Sequence, residues 1–179
     1  MFAIFGKKKV KEDVVANIFV NTILNTVDNG FNDVVGVIND APEFVTPPNL
    51  SLNNDDAFVL IIIAANLKLI PTTLKENQDD RLKQLIITKF SNAFGVEQDQ
   101  LLEAINNYQA YLAKVNLPSK NTRYAMSKAI FGKYNLNQFQ DEYFRNMKSP
   151  NPMFLKRLDE ITENFLWNWD AYTNKFQIV

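Results

Sequence analysis

The side chains able to do chemistry in this chain of 179 residues are carboxylates, lysines, arginines, tyrosines and hydroxyls, because it contains no histidine and no cysteine. Thiol catalysis, disulfides, thiolate metal sites and the common Cys/His zinc sites are therefore excluded. So are histidine-based triads and the Glu-x-x-His pattern of helical di-iron bundles. General acid–base chemistry would have to come from a tuned Asp, Glu, Lys or Tyr. Carboxylates alone can hold Mg²⁺ or Ca²⁺, and three acidic pairs could supply them: Asp55-Asp56, Asp79-Asp80 and Asp141-Glu142. The first two fall at expected helix amino ends, where carboxylates cap free N–H groups and meet the positive end of the dipole. The third fits a solvent-facing helix side. No phosphate-binding glycine run, dinucleotide fingerprint or Asp-rich calcium loop is present. The residues point to no catalytic, metal or cofactor site.

Two groups of residues could instead carry binding. Lys120, Arg123, Lys128 and Lys133 lie close in sequence to Tyr124 and Tyr134, and aromatics between cations can stack on bases. The net charge of -1 argues against a partner held by phosphate attraction, so nucleic acid is not expected. Phe2, Ile4 and Phe5 precede Lys7, Lys8, Lys9 and Lys11, a short aromatic and basic tag. Such a tag could touch an anionic membrane surface, although Glu12 and Asp13 soon offset its charge. Packing against the core, or a frayed end, is the plainer account.

Trp167 is the clearest interaction candidate. Residues 153 to 174 read as one final helix, with an inner stripe of Phe154, Leu158, Ile161, Phe165, Trp169, Tyr172 and Phe176. On that helix Trp167 falls about 220° from Phe154, beside Glu160 and Glu163. An indole there is either covered by another part of the chain or free to anchor a partner. Val14, Val15 and Ile18 similarly lie off the main stripe of the first helix. The candidate protein-contact residues are Trp167, Glu163, Val14 and Ile18.

The elements that position these residues are helices. Hydrophobic residues at 46% and charged residues at 22% describe an ordinary globular chain, and only five glycines leave little for the turns of a sheet-rich fold. Residues 12 to 39 carry Val20, Ile23, Val27, Phe31, Val34 and Ile38 on one face at helical spacing. The stripe keeps its phase through Gly30, which predicts one helix, kinked at most. Residues 40 to 53, with Pro42, Pro47 and Pro48, form a loop that Phe44, Val45, Leu50 and Leu52 should pin. Residues 55 to 70 contain Ala57 to Ala65, apolar on every side. Local propensity there favours a strand, but no other segment offers a partner strand, so a central buried helix is expected. Helices follow at about 79 to 94, ended by Gly95, and 97 to 115. Two short ones at 121 to 131 and 136 to 147 are parted by Gly132.

Over residues 57 to 103, an apolar helix, a turn, an acidic helix start and Phe94-Gly95-Val96 before another helix resemble tellurite-resistance-type helical domains. Pro71-Thr72-Thr73 stands where that pattern has an Asp-Gly turn, and no residue role carries over. The expectation is an all-α, compact, irregular or orthogonal bundle of about six to seven helices around residues 55 to 70. Residues 1 to 11 form a tag, and 12 to 179 a single domain. No stretch reaches the roughly eighteen apolar residues of a membrane span, and the cytoplasm is the default location. The expected function is a non-enzymatic module that binds another protein or itself. The alternatives are a pocket between helices for a small ligand or reaction, and membrane-surface contact through residues 1 to 11.

Overall fold

The computed structural model describes residues 6–72, 74, 75, 77–117, 119 and 121–179. The chain is an all-helical bundle, as its patterning predicts. The first helix, α1 (Glu12–Asn39), runs unbroken through Gly30 and buries Val15, Phe19, Ile23, Val27, Phe31, Val34 and Ile38. The second, α2 (Asp56–Lys68), is the central element, with Phe58 and Ile61 to Leu67 all buried. It packs on α1, on α4 (Gln98–Val115) and on α5 (Thr122–Lys133). Between α2 and α4 lies α3 (Gln78–Phe94), laid along α1 and ended by Gly95 at φ 65°, where a side chain would be strained. A 3-10 turn at Leu136–Phe139, α6 (Glu142–Met147) and α7 (Pro152–Thr162) complete the body.

Four expectations are corrected in detail. Gly132 does not break a helix. It lies inside α5 because a Cβ there would sit 2.0 Å from the Tyr111 hydroxyl, so the glycine permits close packing of α4 on α5. In the loop after α1, Phe44 is buried and Leu50 half-buried, but Val45 and Leu52 face solvent. The pinning comes partly from Asn39, whose side chain both accepts from the Leu50 N–H and donates to its carbonyl. Asp141, expected on a plain solvent face, caps α6 by accepting from the Phe144 N–H. Asp55, expected to cap, makes no side-chain cap bond.

The largest correction is at the carboxyl end. The final helix is not continuous. It stops at Thr162, passes through a 3-10 turn at Glu163–Phe165, and then runs extended at Leu166 (φ -93°, ψ 126°) before α8 (Trp169–Lys175). The chain ends in β2 (Phe176–Ile178), which pairs in parallel with β1 (Lys8–Val10) in the register Lys8↔Phe176, Lys9↔Gln177, Val10↔Ile178. The two ends of the chain are thus zipped together. The described part of the amino-terminal tag is held in the fold, while Phe2, Ile4 and Phe5 lie outside the described residues.

Candidate functional site

The break after α7 creates the most developed surface feature. Its cause is a clash of periods. Trp167 and Trp169 stand two residues apart, a spacing that a helix points to opposite sides and an extended chain returns to one side. Extending the chain lets both indoles reach Phe19 of α1. The Trp169 ring stacks on Phe19 at 5.5 Å between centroids, and the Trp167 ring meets it edge-on at 5.5 Å. Tyr172 and Phe176 continue the ladder, with Trp167–Tyr172 at 5.4 Å and Tyr172–Phe176 at 4.8 Å. Phe165 turns the other way, onto Phe58 at 4.9 Å and the bare backbone of Gly30.

Breaking a helix frees backbone polar groups, which must be paired if buried. Asn66, fully buried in α2, meets two of them. Its amide donates to the Phe165 carbonyl at 2.8 Å, and its oxygen accepts from the Trp167 N–H at 2.7 Å. A polar residue in the last turn of a mostly apolar helix thereby fixes the turn that places the indoles.

Beside this turn lies a groove of about 760 Å³. Leu69 and Pro71 from the end of α2, Arg123 at the start of α5, and Glu163 and Leu166 to Asp170 line it. Its lining joins apolar Leu69, Pro71, Leu166 and Trp167 with charged Arg123, Glu163 and Asp170. Arg123 and Glu163 are paired at 2.7 Å, the arginine part-exposed and the glutamate largely in solvent. Such an exposed pair contributes about 0–1 kcal/mol, so it can be exchanged for other partners at little cost. The indole N–H groups of Trp167 and Trp169 and the hydroxyl of Tyr172 are buried without a partner. Each such group costs about 1–3 kcal/mol relative to its hydrated state.

The groove brings together two of the residues singled out from the sequence, Trp167 and Glu163. Trp167 does not stand on the far side of a helix, as its angular position suggested. It is half-buried in the aromatic ladder, because the helix carrying that position is absent. Val14 and Ile18 are 43% and 40% exposed, one turn apart on α1, and do not line the groove. Phe165 and Trp169 are in the core, as the stripe predicted. Sequence patterning did not single out Asn66, Leu69 or Pro71. The alternate spacing of Trp167 and Trp169 was the available signal for the break.

Elsewhere the candidate chemistry is absorbed by the fold. Lys128 sits over Tyr124 at 4.5 Å, and Lys133 over Tyr108 and Tyr111 at 4.4 and 4.7 Å. These aromatics have cation partners within the chain, and Lys120 lies outside the described residues. Asp79 and Asp80 lie in the first turn of α3 beside Lys83, at 3.7 and 3.8 Å. The Tyr134 hydroxyl donates to the Asn54 carbonyl at 2.7 Å, and burial pushes its pKa up to about 12. Among the described residues no group of three or more acidic side chains is placed to hold a metal ion. Among them, too, no helix is long and apolar enough to cross a membrane.

No protein-family model, no curated protein and no solved structure matches this chain. The likeness of residues 57 to 103 to tellurite-resistance-type domains finds no support among family models.

Proposed function

We propose that the chain is a non-enzymatic helical module that binds another polypeptide, through the groove beside Trp167. The observation that supports this is the convergence of indole, proline and leucine surface with a rim of Arg123, Glu163 and Asp170 in one concavity. Tryptophan and arginine are among the residue types most enriched among interface anchors. Val14 and Ile18 on α1 offer a second, smaller apolar contact, suited to self-association.

The test is selection of binding peptides from a displayed library against the folded chain. Selected peptides should lose affinity for the groove variants Arg123→Glu and Asp170→Arg, whose thermal unfolding should match the parent. They should bind the Val14→Ser, Ile18→Ser variant unchanged. Affinity that survives both groove substitutions refutes the placement. The groove volume also lies within the range of small-molecule pockets, roughly 300–1,000 Å³. Small organic molecules that raise the melting temperature of the parent but not of Asp170→Arg, with no peptide selected, would favour that second reading.

A further inference from the structure

Residues 166 to 179 are tied to the body at both ends and held between them mainly by ring contacts. At the upstream end, the Asn66 side chain fixes the turn through Phe165 and Trp167. At the downstream end, β2 pairs with β1, the Glu12 N–H donates to the Val179 carbonyl, and Gln78 donates to the Ile178 carbonyl. Between these ties, α8 is internally complete. Asn168 caps it from within the same segment, and Thr173 bonds back to Trp169. What holds α8 down is the stack of Trp167, Trp169 and Tyr172 against Phe19 and one another, helped by Lys7, which donates to the exposed Thr173 carbonyl.

That stack is poorly matched in polarity. Of the buried side-chain polar atoms left without a partner among the described residues, three belong to this one segment: two indole N–H groups and a phenol hydroxyl. All three regain hydrogen bonds to water if the segment lifts, so the closed state carries a penalty the open state does not. The hinge is already formed. Leu166 is extended, and Asn168 at φ -87° and ψ 88° lies outside the helical region, so swinging about them unwinds no regular structure.

We infer that residues 166 to 179 form a strap that opens as a unit about Leu166–Asn168, with α1 to α7 still folded. Opening uncovers Phe19 on α1 and parts the two ends of the chain. It also removes the wall of the groove contributed by Leu166 to Asp170, so the groove exists only in the closed state. The strap is a conformational device, a terminal element whose opening energy lies below that of global unfolding.

Native-state amide exchange tests this. The N–H groups of Trp167, Glu12 and Val179, bonded respectively to the Asn66 side chain, the Val179 carbonyl and the Val10 carbonyl, cross between strap and body from hinge to tip. They should share one opening free energy and one denaturant slope, both below those of the α2 amides. Fraying would instead give a gradient inward from Val179 with no slope, and a strap that opens only with the whole fold would match α2. Either result overturns the inference. The chain has no cysteine of its own, so a lock is clean to build. Lys9→Cys with Gln177→Cys places two thiols at paired positions of β1 and β2. Oxidation should slow exchange at Trp167 to that of the α2 amides, and reduction should restore it. An oxidised chain whose Trp167 amide exchanges as fast as in the reduced chain also refutes the opening.

Discussion

Replacing Asn66 with alanine should destabilise the fold by more than its size suggests. The side chain makes three bonds: to the Ile62 carbonyl at 2.9 Å, the Phe165 carbonyl at 2.8 Å and the Trp167 N–H at 2.7 Å. The first is dispensable, since the Ile62 carbonyl is also an acceptor within the helix ladder of α2. Loss of the other two leaves a buried carbonyl and a half-buried N–H without partners. At about 1–3 kcal/mol each, reduced where water follows into the space, they set an expected loss of roughly 3–4 kcal/mol. Asn116 provides the control. It is nearly as buried, but its side-chain oxygen has no partner, so Asn116→Ala should cost about 1 kcal/mol or less. Urea unfolding followed by tryptophan fluorescence measures both, with the midpoint shift read at constant slope. An Asn66→Ala loss no larger than that of Asn116→Ala would refute the role assigned to Asn66 in fixing the turn.

Four further outcomes follow from the geometry. Gly36→Ala should stabilise by up to about 1 kcal/mol, because a Cβ there meets nothing within 4 Å and alanine is the better helix former. Gly30→Ala should destabilise by about 1–2 kcal/mol despite the same propensity gain, since its Cβ would lie 2.7 Å from the buried Phe165 ring; thermal melts of the two variants must move in opposite directions. Burial lifts the Tyr134 phenol from the usual 10.0 to about 12, so the unfolded chain ionises first. Stability should therefore fall as pH rises from 10 towards 12, and Tyr134→Phe should flatten that slope in denaturant titrations. The Trp167 and Trp169 rings lie 5.8 Å apart at 60°, close enough for their transitions to couple. Circular dichroism should show a two-signed tryptophan feature that vanishes in either Trp→Phe variant, and its survival in one of them would contradict the pairing.

The helical body was legible because its longer helices α1, α3 and α4 each bury a face at helical spacing. The phase of Val20, Ile23, Val27 and Phe31 carried α1 through Gly30, and the structure keeps that helix whole. The apolar run from Ala57 to Ala65 was ambiguous by composition and decided by the absence of a partner strand, and α2 is indeed the buried central helix. Gly132 misled because a glycine in a helix reads as a stop when its reason is a neighbour. The Tyr111 hydroxyl that requires it comes from α4, and nothing near residue 132 in the sequence announces it.

The site was illegible for the same reason, carried further. Along residues 153 to 174 the helical stripe and the alternate spacing of Trp167 and Trp169 make competing claims, and a helical wheel weighs only the first. What settles the competition is Asn66, whose bond to Trp167 spans 101 residues of sequence and supplies the pairing that lets the chain leave the helix while buried. The parallel pairing of β1 with β2, from opposite ends of the chain, is just as remote and leaves an equally faint trace in three residues per strand. Local period therefore predicts an element only where its backbone bonds are satisfied within it. Where a distant side chain can satisfy them, the aromatic rings choose the path that buries most of their surface. Asn66, the one uncharged polar residue of α2 and fully buried there, was the visible sign that such a distant bond existed.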